Sequence, residues 1–256
     1  MSFTPRTSNV YCVSPSSAVT GVSTISSPAV ELLTAALFVG VYARFGLTVE
    51  ALKYCVFGFL LLGLIFTDAE TKLLPDEMTL SGLVLGLVFS LFVPVNDLMA
   101  RLLPGVINLP VSSDISWHLI SLADAALGAI VGASFIYGAG KLYQGVRGVE
   151  GMGFGDVKLM AMIGAFLGLK LTVFTLFAAS VLGSLFGVGT VLVVWLKRTR
   201  RWRQRRPAVA RQRAWQSAKL VYRRYEMPFG VFLGAVAMFA FFFGNRVLGW
   251  YWGRFS

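Results

Sequence analysis

The chain has 256 residues, of which 56% are hydrophobic and 14% charged, with a mean hydropathy of +0.72. So apolar a composition excludes a water-soluble globule, which would need more polar surface than this chain can supply, and its long apolar runs suit a bilayer. The formal charge of +11 raises the question of a nucleic-acid partner, and the answer turns on where the basic residues lie.

Residues 1–28, rich in Ser, Thr and Pro, read as a flexible leader without the order of a cleavable signal peptide. Apolar stretches between polar punctuation then predict helices near 29–46, 50–67, 78–95, 118–142, 157–169, 171–196 and 228–248. The fold class expected is an all-α polytopic membrane protein of about seven transmembrane helices, within a range of six to eight, occupying residues 29–248. Residues 96–117 form an external loop, 197–227 a basic loop and 249–256 a short tail. The fifth helix is short: its fourteen residues from Val157 to Lys170 rise about 21 Å against a hydrocarbon core of ~30 Å, so it is expected to tilt, to re-enter or to run on into the sixth.

Residues 197–224, KRTRRWRQRRPAVARQRAWQSAKLVYRR, hold twelve of the twenty-three Lys and Arg. In a polytopic protein such a run marks a cytoplasmic loop that touches anionic headgroups, so no nucleic acid is expected. Counting crossings from it places residues 143–156 and 68–77 on the same cytoplasmic face and 96–117 outside. The expected location is accordingly multi-pass in the membrane, with Asp68, Asp156 and the stretch EMPFG at 226–230 on the cytoplasmic side.

The acidic residues beside the membrane helices differ in what their positions allow. Asp97, Asp114 and Asp124 lie in or near the external connection, where loop or cap roles are the default, and only Asp124 is placed to enter the bilayer. Asp76 follows Pro75 and precedes a helical run, which predicts an N-cap. Asp68 closes the run CVFGFLLLGLIFT, where the helix dipole opposes a carboxylate. Asp156 stands at a helix start behind Gly151, Gly153 and Gly155, which permit positive φ and close backbone approach, and there it is the expected resting base. Lys158 is expected to fold back toward Asp156 or to reach the headgroups. A nucleotide loop is excluded, since the pattern is GxGxG and no strand precedes it. Two carboxylates on one face, each at the end of a separate helix, can share one water: one takes its proton as it attacks a peptide carbonyl, and the other protonates the carbonyl oxygen and then the leaving amine.

In these features the chain resembles the type IV prepilin peptidases, membrane-embedded aspartyl proteases of the GxGD type. The resemblance rests on Asp68 followed by Leu74-Pro75-Asp76 and the pair Thr79-Leu80, on the run from Gly153 to Leu159, and on Pro228-Phe229-Gly230 opening the last helix. It implies a GxGD-type bundle with Asp68 and Asp156 catalytic, and with Gly153, Gly155, Lys158, Pro75, Asp76, Pro228, Phe229 and Gly230 supporting the site. It also implies prepilins or pseudopilins as substrates, cut after the glycine that ends a basic leader at the cytoplasmic face of a bacterial inner membrane. Pilus or type II secretion assembly proteins are candidate further partners.

The chain departs from bifunctional members of that family, which carry paired CxxC motifs for zinc and methylate the new N-terminus. Cys12 and Cys55 are too few and too far apart for a four-ligand site, so no metal, no cofactor and no methyl transfer are expected. Two other classes compete: an ion-coupled small transporter, which places its acids at mid-bilayer rather than at helix ends, and a non-catalytic scaffold, which needs neither carboxylate. The sole histidine, His118, falls on the external side, away from the paired acids.

Overall fold

A computed structural model describes residues 26–71, 74–93, 115–148, 153–205 and 229–254, and every element among them is helical. In chain order these are α1 (Ser26–Phe45), α2 (Val49–Thr71), α3 (Asp76–Phe92), α4 (Ile115–Arg147), α5 (Phe154–Arg205) and α6 (Phe229–Phe239), the last continuing through a π turn (Ala240–Gly244) into α7 (Asn245–Trp252). Over their described residues, each of the seven expected stretches falls on helix, Gly46 and Val93 at their ends excepted. Four helices among the described residues are long and apolar enough to cross a membrane: Val49–Thr71, His118–Val146, Phe154–Lys197 and Phe229–Tyr251. The expected leader 1–28 and the external loop 96–117 lie almost wholly outside the described residues.

Local chemistry sets the ends. The α1–α2 turn closes where the Gly46 N–H donates to the Tyr42 carbonyl and the Ala51 N–H donates to Thr48 Oγ1, which caps α2. α3 stops at Phe92, and Val93, in extended conformation, precedes Pro94, which disfavours helix in the residue before it. Gly148, at φ 67°, closes α4 in the left-handed conformation that glycine adopts without a Cβ clash. The basic stretch from Lys197 does not begin as a loop: α5 carries on to Arg205, because Lys, Arg and Gln are good helix formers and no glycine or proline interrupts them before Pro207.

α5 is broken once. At Gly168 the backbone turns to φ 74° and ψ 175°, a region open in practice to glycine alone, so residues 154–167 and 169–205 run as two helical halves. The division falls at the boundary expected between the fifth and sixth segments.

Lipid tails are as apolar as leucine, so close backbone approach must hold this bundle more than apolar burial does. α4 and α5 cross through glycines. A Cβ on Gly164 would sit 2.4 Å from the Gly128 carbonyl, and one on Gly128 would sit 2.8 Å from the Gly168 carbonyl carbon. Gly132 meets Met160 and Thr172 in the same groove. Around the crossing, Phe57 of α2 stacks on Phe166 of α5 with ring centroids 4.8 Å apart, and Leu61, Leu64, Met160, Ile163, Leu233 and Ala237 complete the buried centre. At the far end of the last helix, the π turn leaves the Phe242 carbonyl accessible, and the Arg44 guanidinium of α1 donates to it.

Candidate active site

The C-terminal end of α2 and the N-terminal ends of α3, α5 and α6 gather at one end of the bundle, and they bring Asp68, Asp76, Asp156 and Gly230 with them. Gly230 is the hub. A Cβ placed on it would lie 2.7 Å from Asp68 Oδ2 and 3.4 Å from Asp156 Oδ1, so those two oxygens are at most about 6 Å apart, with room kept between them only because residue 230 has no side chain. That separation suits one water hydrogen-bonded to both carboxylates.

The helix start that feeds the site is not the one expected. Asp156 was to collect backbone N–H groups at the start of its own helix, yet the N–H that reaches a carboxylate comes from Val231 at the start of α6 and goes to Asp68 Oδ2, at 3.0 Å. The dipole end of α6 therefore faces the Asp68 side of the pair, and the positional argument that made Asp156 the resting base applies to both residues. Asp68 is buried and Asp156 half-buried, so the site is reached past Asp156.

Gly155 acts by lacking bulk rather than by positive φ, which among the described residues occurs at Gly46, Gly148 and Gly168. A Cβ on Gly155 would press against Leu74 at 3.1 Å, so the bare backbone lets the Leu74-Pro75 segment lie against the start of α5. Gly153 has open space around it, and its carbonyl accepts the Asp156 N–H at 3.2 Å. Gly151 lies outside the described residues.

Asp76 is not the N-cap of α3. Pro75 occupies the cap position without a side-chain bond, and Asp76 is the first helical residue, its carboxylate paired with Lys158 Nζ at 2.6 Å. Lys158 thus turns away from Asp156 and across to α3, with its ammonium also over the Phe154 ring at 5.0 Å. The reason is steric and electrostatic together: Gly155 draws α3 close enough for a charge-assisted bond to form between the two helix starts. Phe229 packs toward Gly183 of α5, and Pro228 lies outside the described residues.

No cluster of three or more His, Cys, Asp or Glu suited to a metal occurs among the described residues. His118 sits at the opposite end, where its Nδ1 meets the Leu91 carbonyl and ties the start of α4 to the end of α3. Asp124 proves to be buried and caps an interrupted helix rather than a loop, its Oδ1 accepting the Leu169 N–H at 3.4 Å. The spacing G128-x-x-x-G132 and G164-x-x-x-G168 was the sequence signal for the crossing that holds it there.

A family model described as the type IV leader peptidase family matches residues 55–188, which include Asp68, Asp76, Asp156 and Lys158. A prepilin leader peptidase/N-methyltransferase of Pseudomonas putida is 38% identical over 161 residues, 63% of this chain and 48% of that protein. Proteins of the same name from Aeromonas hydrophila, at 29% over 228 residues (89% of this chain, 62% of that protein), and Neisseria gonorrhoeae, at 34% over 162 residues (62% and 47%), are also similar. The chain spans about half to three fifths of the length of these curated relatives. No solved structure matches it.

Proposed function

The chain belongs to the type IV leader peptidase family, and from that premise we propose that it is a membrane-embedded aspartic endopeptidase in which Asp68 and Asp156 activate one shared water. The observation that carries the proposal is the convergence of both carboxylates on the bare Cα of Gly230. With the pair holding one proton between them, the ionised carboxylate takes a proton from the water as it attacks the scissile carbonyl. The protonated partner donates to the carbonyl oxygen; as the tetrahedral intermediate collapses, the proton gained from water passes to the leaving amine and the hydroxyl formed from the carbonyl oxygen returns its proton to that partner, which restores the pair.

Gly230 admits an extended peptide to that point, and the Val231 N–H steadies Asp68 while its charge changes. Lys158, Asp76, Pro75 and Gly155 hold the two helix starts in register, and Gly153, Pro228 and Phe229 complete the supporting set. Prepilins or pseudopilins are the proposed substrates, and the name printed for the relatives supports that choice. The catalytic unit is taken as residues 29–248, set in a bacterial inner membrane. The basic run at 197–224 orients the site toward the cytoplasm and lies against anionic headgroups. Pilus or type II secretion assembly proteins are the further partners that fit such substrates. The proposal concerns the peptidase alone.

Incubating purified protein with a candidate prepilin, beside Asp68→Asn and Asp156→Asn, tests it. Each variant is expected to lose about 10³-fold or more in cleavage rate, since acid–base groups of this kind contribute about 10²–10⁴-fold. Substantial cleavage by either variant would overturn the dyad.

A further inference from the structure

Two charged side chains at the opposite end of the bundle have no place in the mechanism. Lys53, near the start of α2, is 0% exposed, and so is Asp124 of α4. Lys53 Nζ and Asp124 Oδ2 are the buried side-chain atoms without a hydrogen-bond partner among the described residues. The negative charges that reach Lys53 are those of Glu50, one turn back on α2, and Asp124. A buried ammonium and a buried carboxylate are among the costliest groups a fold can hold unless each offsets the other, directly or through solvent.

Their positions along the chain give them a task. Asp124 accepts the Leu169 N–H, the donor set free where Gly168 breaks α5, while Thr172 Oγ1 donates to the Gly168 carbonyl at 2.6 Å. One of the N–H donors orphaned at the break is thereby satisfied from α4, which ties the restart of α5 to that helix. Asp156 stands at the other end of the first half, and Asp68 at the other end of the helix that carries Lys53.

The structure assigns Asp124 and Lys53 to positioning the carboxylate pair from the far end of the bundle: Asp124 fixes the restart of α5 at Leu169, and Lys53 supplies its counter-charge. The assignment rests on the peptidase reading above. From Gly168 back to Asp156 the helical lever is about 18 Å long, so a tilt of only about 3° at the break moves Asp156 by about 1 Å. A displacement of that size at reacting groups is worth about 100-fold in rate.

The test contrasts two double variants, in both of which the two charges vanish together so that no uncompensated ion is left inside. Lys53→Met with Asp124→Asn keeps an oxygen facing the Leu169 N–H, whereas Lys53→Met with Asp124→Leu removes it. The Asn variant is expected to cleave a prepilin within a few-fold of the unmodified protein. The Leu variant should lose kcat about 100-fold at unchanged KM and show faster amide hydrogen exchange in peptides covering residues 164–172. Single Lys53→Met, which leaves Asp124 uncompensated, is expected to lower the melting midpoint more than either double variant does. Equal kcat and equal exchange in the two double variants, both folded, would overturn the assignment, and so would a melting midpoint unchanged in single Lys53→Met. Exchange is measured without substrate: if the unmodified protein cleaved no prepilin while the Leu variant still exchanged faster, the peptidase reading would fall and Asp124's hold on the break would stand.

Discussion

Both ends of this bundle bury acidic side chains where helices start or restart, and they treat them in opposite ways. At the Gly230 end a missing side chain keeps the space between Asp68 and Asp156 clear, and Asp156 is only half-buried. At the Gly168 end Asp124 is sealed, faced by a backbone N–H and a buried lysine charge. The contrast teaches what distinguishes the acids proposed to react from a structural one in this bundle. Burial is common to Asp68 and Asp124, so access decides, and access is set by which glycines face open space and which face backbone.

Filling the open end should do the most damage to activity. Gly230→Val would drive a side chain between the carboxylates and is expected to abolish cleavage by about 10³-fold while leaving the melting midpoint near that of the unmodified protein. A parallel assay and thermal melt would show it, and retained activity would mean that the space beside Gly230 is not where the substrate goes. Gly164→Leu makes the opposite case. Its side chain would meet the Gly128 backbone, which cannot yield, so the expected loss is in stability, about 3 kcal/mol at the upper end of overpacking effects. Gly168→Ala asks a residue with a Cβ to hold φ 74° and ψ 175°, and a destabilisation on the order of 1–3 kcal/mol should appear as a lower unfolding midpoint. Lys158→Met should matter least. Its partner Asp76 is 62% exposed, so losing the pair is expected to lower stability by less than about 1 kcal/mol and to change the cleavage rate only a few-fold. A large drop in rate from Lys158→Met would shift weight from the glycine contacts to the ion pair as the means of holding the open end together.

Much of this was legible in the residues themselves. Apolar run length marked the helices, and α5 is divided at Gly168, within two residues of the Lys170 that separates the expected fifth and sixth segments. Charge and crossing count put Asp68, Asp156 and residues 226–230 on one membrane face, and the family resemblance made one site of these three distant segments. What stayed hidden depends on partners that no local pattern names. Lys158 and Asp76 both look like interfacial residues, and only the approach of Leu74 to Gly155 shows that they face each other. Lys53 sits near a helix start, where a lysine ordinarily extends toward headgroups. Here its ammonium lies over the Tyr54 ring at 5.5 Å, within the cluster that Tyr54 forms with Phe45 and Phe241. For Asp124 the default was a loop or cap role, and the helix it caps restarts forty-five residues away in sequence, where no local pattern points. The Gly-x-x-x-Gly pairs were visible and unused, since one such pair is weak evidence until its opposite number is found.

The break at Gly168 also bears on how the protein is made. The half of α5 that precedes it is about 21 Å long, short of the ~30 Å of hydrocarbon, and would be a poor candidate for independent insertion. α4 is synthesised before it and offers a preformed glycine groove, with Gly128 and Gly132 ready to receive Gly164 and Gly168. The two are therefore expected to enter the bilayer as a hairpin, with the aspartate at the head of the short half reaching its final depth only after its neighbour has docked. The residue proposed to do the chemistry would then be carried into place late, on a segment too short to settle alone.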